Sequence, residues 1–137
     1  MNVTELPFNR LIGLQAAGIS AVTLPAGEQY TNHLGTVHGS ALLAVAEAGS
    51  GAFIIEHFSQ RPGLIPVVRN LTAKFRKPAS GAVTSRTAVP AEAVAGWLAA
   101  LDKRGRVLAE VPVEVVDASG DVVLRATVEW FLAESPT

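Results

Sequence analysis

The chain has no cysteine among its 137 residues. That absence excludes disulfides, thiolate metal ligands and a cysteine nucleophile together. An excess of either charge is also lacking: eleven Lys and Arg against twelve Asp and Glu leave a formal net charge of −1. No electrostatic footprint for nucleic acid is present, so no such partner is expected. His33, His38 and His57 do not fall at Glu/His metal spacing, and neither a metal nor another cofactor is expected. The main apolar run, Ala41 to Ile55, is interrupted by Gly49, Gly51 and Glu47 and is shorter than the ~20 residues that span a bilayer. The first ten residues carry Glu5, Pro7 and Arg10 and no apolar core of a signal peptide. A cytoplasmic location and no membrane partner are the expectations.

Hydrophobic residues make up 49% of the chain and charged residues 17%, enough apolar surface for one domain over residues 1–137. Leu6 to Leu14 has helical apolar spacing, and Ile19 to Leu24 reads as a short strand ended by Pro25-Ala26-Gly27. Gln29 to Val37 reads as loop or irregular strand. A helix is expected from Gly39 to His57, apolar nearly all round and therefore buried on most sides. Strands follow at Pro66–Phe75 and Val83–Val89, then a helix over 90–104 with Gly105 as its C-cap. Arg106–Asp117 and Asp121–Leu132 alternate around Ala118-Ser119-Gly120, a hairpin signal. Val122, Leu124, Ala126, Val128, Trp130 and Leu132 share one face of the last strand. Pro112 implies an edge position or a bulge. One long buried helix followed by antiparallel strands is an α+β pattern, with the sheet wrapping the helix.

Glu47 is the one charge in the 41–55 run, and a carboxylate in dry surroundings is costly unless it has a partner or a task. Upstream of it, Asn32 to Ser40 is rich in small polar residues and glycine, as at a helix entry whose first N–H groups face a ligand. Together they suggest a catalytic carboxylate and an oxyanion site. Gly39 and Glu47 are eight residues apart, ~12 Å along a helix axis. A reacting carbonyl must sit ~3 Å from both groups. One helix cannot do this, whereas two antiparallel helices from two subunits can. The expected catalyst is a homo-oligomer.

These residues resemble a known family. Asn32-x-x-Gly35-Thr36-Val37-His38-Gly39-Ser40, with an acid at Glu47, resembles the signature of hotdog-fold acyl-CoA thioesterases of the phenylacetate-pathway (PaaI-like) group. Pro7 to Gly13 is similar to that group's N-terminal cap, and Ala73-Lys74-Phe75-Arg76-Lys77-Pro78 to its strand ending in proline. The resemblance implies a hotdog fold, a long central helix wrapped by a five- or six-stranded antiparallel sheet, assembled as a homodimer or homotetramer. It implies an acyl-CoA substrate and an active site between subunits. Glu47 would be general base or nucleophile, the Gly39 N–H would polarise the thioester carbonyl, Asn32 would place carbonyl or water, and His38 would shape the turn. Substrate contact would fall to Ser40, Val68, Asn70, Arg76 and Lys77. Ser40 replaces the usual second glycine, Glu47 the commoner Asp, and Val68 a position often holding Ser or Thr. The 90–104 helix looks like an insertion relative to minimal members.

Each signal has a plainer reading. Glu47 could pair with Arg69, Gly39 could serve close packing, Asn32 could form an Asx turn, and His38 could be structural. Lys74, Arg76 and Lys77 could hold the phosphates of coenzyme A or be ordinary solvated charges. Ser40 lacks a Gly-x-Ser-x-Gly elbow and is not expected to be a nucleophile. Beside hydrolysis stand two alternatives: a non-catalytic acyl-CoA or lipid binder, and an enoyl-CoA hydratase or dehydratase using a His and an acid.

Overall fold

In the computed structural model, which describes residues 1–135, a 3-10 turn at Val3–Glu5 leads into α1 (Pro7–Ile12). Two short strands follow, β1 (Gln15–Ala16) and β2 (Val22–Leu24), then a second 3-10 turn at Glu28–Tyr30. The central helix α2 spans Gly39–Phe58. After it come β3 (Leu64–Phe75), β4 (Val83–Thr87), α3 (Ala91–Arg104), β5 (Arg106–Val116) and β6 (Val122–Glu134). The strands form one six-stranded sheet in the order β1-β2-β4-β5-β6-β3, and every pairing is antiparallel. This is the α+β architecture expected from the sequence, with β1 and both 3-10 turns added to it.

The inner face of the sheet is built by strict alternation. Ala109, Val111, Val113 and Val115 on β5 meet Leu124, Ala126, Val128, Trp130 and Leu132 on β6, all buried. A register shift between Val115 and Val116 takes Val122 out of that series and buries its neighbour Val123. Pro112 lies on an interior strand, not on an edge strand, and the shift is not at its position. The last rung between β4 and β5 is Thr87–Val113, so Pro112 stands one residue past the end of its neighbour. The strand is locally an edge there, which is what a residue without an N–H requires.

α2 lies across this inner face with ten residues buried. Its C-terminal half is locked from two sides. Gly49 faces β4 so closely that a Cβ would come within 2.4 Å of the Ser85 side chain. Trp97 of α3 stacks on Phe58 and meets Phe53 edge-on, at 6.3 and 6.4 Å between ring centroids. Arg61 bonds Asp102 and Glu134, tying the end of α2 to α3 and β6. α2 ends one residue beyond the helix expected at Gly39–His57, and at 20 residues it is long and apolar enough by composition to cross a membrane. Here it is the core helix under the sheet.

The candidate active site

The entry to α2 is strapped in place before the helix begins. Val37 N–H donates to the Ala79 carbonyl and His38 N–H to the Tyr30 carbonyl, at 2.9 and 2.8 Å. Tyr30 in turn donates its hydroxyl to the Ile12 carbonyl at 2.5 Å, joining α1 to this corner. Gly13 ends α1 in the left-handed region at φ 82°, and a Cβ there would meet the Tyr30 hydroxyl oxygen at 2.7 Å. His38 is the N-cap of α2: its Nδ1 accepts from Ser40 N–H at 3.0 Å, and its carbonyl accepts from Ala41 and Leu42. Among the described residues, the Gly39 N–H is the first-turn donor left without an acceptor. Phe75, at the end of β3, lies over Gly39, with its ring 3.2 Å from where a Cβ would stand. A methyl at this position would push the ring aside by a few tenths of an ångström.

Glu47 is half-buried two turns further on, and α2 is unbroken between them. Its carboxylate has no ion pair and no hydrogen bond among the described residues. Burial raises its pKa above the ordinary carboxylate value. Arg69, the partner a structural reading would supply, points the other way. Its guanidinium lies 4.0 Å over the Phe131 ring on the outer face of the sheet. Beneath Glu47 the backbone is held: Trp130 donates Nε1–H to Ser50 Oγ at 2.8 Å, and Ser50 donates to the Glu47 carbonyl at 2.7 Å. Neither Ser50 nor Trp130 was singled out from the sequence for this purpose. A serine three residues after the acid in an apolar helix was the available signal, while its tryptophan partner is 80 residues away.

The expected site residues do not all converge within one chain. Asn32, Gly39, Leu42, Phe75, Arg76 and Lys77 line a hollow of about 350 Å³ at the N-terminus of α2. His38 and Ser40 line another, of about 320 Å³, between α2 and α1 with Phe8, Ile12, Tyr30 and Ala44. Glu47 lines neither. The Asn32 side chain is engaged in its own loop, accepting from Leu34 and Thr36 N–H at 2.9 and 3.2 Å and donating to the Thr36 hydroxyl. Lys77 bonds Asp121 at 2.6 Å, which raises its pKa, and Lys74 sits on the outer face of the sheet, in register with Arg125. Val68 and Asn70, two residues apart, are on opposite faces. A bulge at Arg69 pairs Val68 with inward Trp130 but Asn70 with outward Glu129. Asn70 is thereby placed on the face of the sheet away from α2.

The chain belongs to a family described as a domain of unknown function (DUF4442), whose model matches residues 10–132. No curated protein sequence matches the chain. Among solved structures it is similar to a Pseudomonas aeruginosa protein described as a probable thioesterase, at 26% identity and TM-score 0.83, covering 96% of this chain and 91% of that one. A Bacillus halodurans protein solved with CoA is similar at 19% identity and TM-score 0.71, covering 91% and 74% of the two chains. A Chlorobaculum tepidum protein of unknown function matches at 16% identity and TM-score 0.81, over 96% and 88%. The fold is the hotdog fold, as the 32–47 segment led us to expect.

Proposed function

We propose that the protein hydrolyses acyl-CoA thioesters at a site completed by two copies of the chain. The observation that carries this is the pair of unpartnered groups on α2: a free Gly39 N–H at its start and a half-buried, unpaired Glu47 carboxylate two turns on. Each is costly or idle within one chain, and ~12 Å of helix separates them. β3, twelve residues long, is an edge of the sheet with its far side unpaired. Antiparallel pairing of β3 with its copy would run two α2 helices antiparallel and bring Glu47 of one chain toward Gly39 of the other.

In this reaction Glu47 takes a proton from water as the water oxygen attacks the thioester carbonyl carbon. The negative charge that develops on the carbonyl oxygen falls to the Gly39 N–H and the positive end of the helix. Collapse breaks the carbon–sulfur bond, and the proton held by Glu47 passes to the departing thiolate, giving a carboxylic acid and free CoA. Direct attack by Glu47, through an anhydride, reaches the same products. Hydrolysis in ¹⁸O water under single turnover separates the two routes, since only the second puts label into the protein carboxyl. The raised pKa of Glu47 suits the base, because proton transfer is favoured when the acceptor approaches the working pH. CoA in the Bacillus halodurans neighbour supports a CoA ester as ligand.

The test is thiol release from a panel of short, long and aromatic acyl-CoAs, comparing wild type with Glu47→Ala. Because the chain has no cysteine, it adds nothing to the thiol signal. Hydrolysis lost in the variant is the expected result, and equal rates would remove Glu47 from the mechanism. A non-catalytic acyl-CoA binder is the second reading, favoured by the inward Val68, which offers no hydroxyl to orient water. It predicts saturable binding with no turnover on any member. The hydratase reading gains nothing from the geometry, since His38 caps the helix nine residues before the acid.

A further inference from the structure

The three residues that begin two positions past Glu47 are each fitted to the sheet. Gly49 faces β4, where a Cβ would come within 2.4 Å of the Ser85 side chain. Gly51 faces β6, where a Cβ would meet the Trp130 ring at 3.3 Å and Val3 at 3.7 Å. Between them Ser50 is fully buried and bonded twice, at 2.8 Å to Trp130 and 2.7 Å to the Glu47 carbonyl. An indole nitrogen only donates, so the Ser50 oxygen accepts from Trp130 Nε1–H and its own proton is left for the carbonyl. The chain of bonds therefore runs one way, from β6 into the backbone of the acid.

Glycine and serine are weaker helix formers than alanine or leucine, and Gly49-Ser50-Gly51 sets three of them in a row inside α2. Helices of this kind are held by tertiary contact more than by propensity. We propose that Ser50 is a positioning residue for Glu47: anchored by Trp130, it fixes the rotation of α2 at the acid and so the direction in which the carboxylate leaves the helix. This rests on Glu47 being the reacting group. Among the described residues the carboxylate has no ion pair or hydrogen bond of its own, so its aim is set by the backbone that carries it. At the other end, the His38 cap and the straps to Ala79 and Tyr30 fix Gly39. The two anchors together set where acid and N–H donor stand, and a misplacement of ~1 Å between reacting groups can cost ~10²-fold in rate.

The test measures kcat and KM for acyl-CoA hydrolysis by Ser50→Ala, Trp130→Phe, the two combined, and Trp97→Ala. Ser50→Ala removes the hydroxyl from both bonds, and kcat should fall ~10-fold or more while KM stays within about twofold. Trp130→Phe keeps an aromatic ring in the core and breaks only the first bond, so its loss should be smaller. The combined variant should be no slower than Ser50→Ala, because both act through one chain. Trp97→Ala loosens the same half of α2 without touching the chain and should keep the wild-type kcat below its transition. Where the wild type turns over, a kcat in Ser50→Ala within about twofold of wild type, or an equal loss in Trp97→Ala, overturns the proposal. A second readout needs no turnover. Burial raises the Glu47 pKa, and a carboxylate released toward water titrates nearer the ordinary range. The ¹³C titration of the Glu47 carboxyl should move down in Ser50→Ala and stay in place in Trp97→Ala. If the wild type hydrolyses no acyl-CoA, the hydrolytic reading fails and the titration alone decides: a downward shift keeps the positioning role, and an unchanged one overturns it.

Discussion

The two halves of α2 are both rich in apolar residues and have opposite fates. The C-terminal half is closed: Gly49 against Ser85, Phe53 and Phe58 against Trp97, and Arg61 bonded to α3 and β6. The N-terminal half is held just as firmly at its backbone, by the His38 cap and the straps to Ala79 and Tyr30, but its chemistry is left open. The Gly39 N–H has no acceptor, the Glu47 carboxylate no partner, and Phe75 is half exposed above the helix start. Rigid backbone with unsatisfied side-chain chemistry is the pattern of a site, and saturated packing is the pattern of a core. The sharpest way to break the comparison is to change one half and read both stability and turnover.

The largest effect is expected at Glu47. Glu47→Gln should lower acyl-CoA hydrolysis by ~10²–10⁴-fold, the range that general base catalysis supplies. Its stability should move the other way. The folded carboxyl holds its proton more tightly than the unfolded one, so the contribution of Glu47 to stability is most favourable below the ordinary carboxylate range. It declines as pH rises through the raised folded value. Glu47→Gln removes that decline, and urea melts at pH 7 should find the variant more stable than wild type. The acid limb of kcat against pH should correspondingly lie above the ordinary carboxylate range. A variant less stable at neutral pH would mean that Glu47 has a structural partner after all.

Trp97→Ala tests the closed half. Removing a buried aromatic that packs on Phe53 and Phe58 should cost about 3–5 kcal/mol in denaturant melts. Below the transition the specific activity should stay within about twofold of wild type, since no site group touches α3. Gly49→Ala should cost less, about 1–3 kcal/mol, because its methyl must displace Ser85 and the bond Ser85 accepts from Val22 N–H. Loss of turnover in either folded variant would join the two halves into one functional unit.

The closed half was the more legible in the sequence. A long apolar run located α2, and apolar periodicity located α3 and the β5–β6 hairpin, because burial enforces a period over many residues at once. The open half was legible only where local chemistry repeats itself: a capping segment at 38–40 and an acid among apolar neighbours. Residues brought together by register were not. The bulge at Arg69 reverses the face of Asn70, and no composition signal marks it. Arg69 lies over Phe131 on the outer face, away from Glu47. Pro112 illustrates the converse: its sequence marked an irregularity, but where a neighbouring strand ends is a property of the whole sheet.

The smallest effect separates two roles at one position. His38 holds the start of α2 through Nδ1, which accepts from Ser40 N–H. His38→Ala removes that cap and should cost about 1 kcal/mol, within the range for N-cap deletions. His38→Asn keeps a side-chain acceptor at the N-cap, and asparagine is among the best residues there, so stability should return to near wild type. If His38 serves the site only by fixing the helix entry, turnover should return with stability. If the ring carries a proton in the reaction, asparagine will restore the melt and leave kcat down by ~10²-fold or more. The open half would then have a second catalytic group, and the divide between a backbone-holding residue and a reacting one would no longer run between His38 and Glu47.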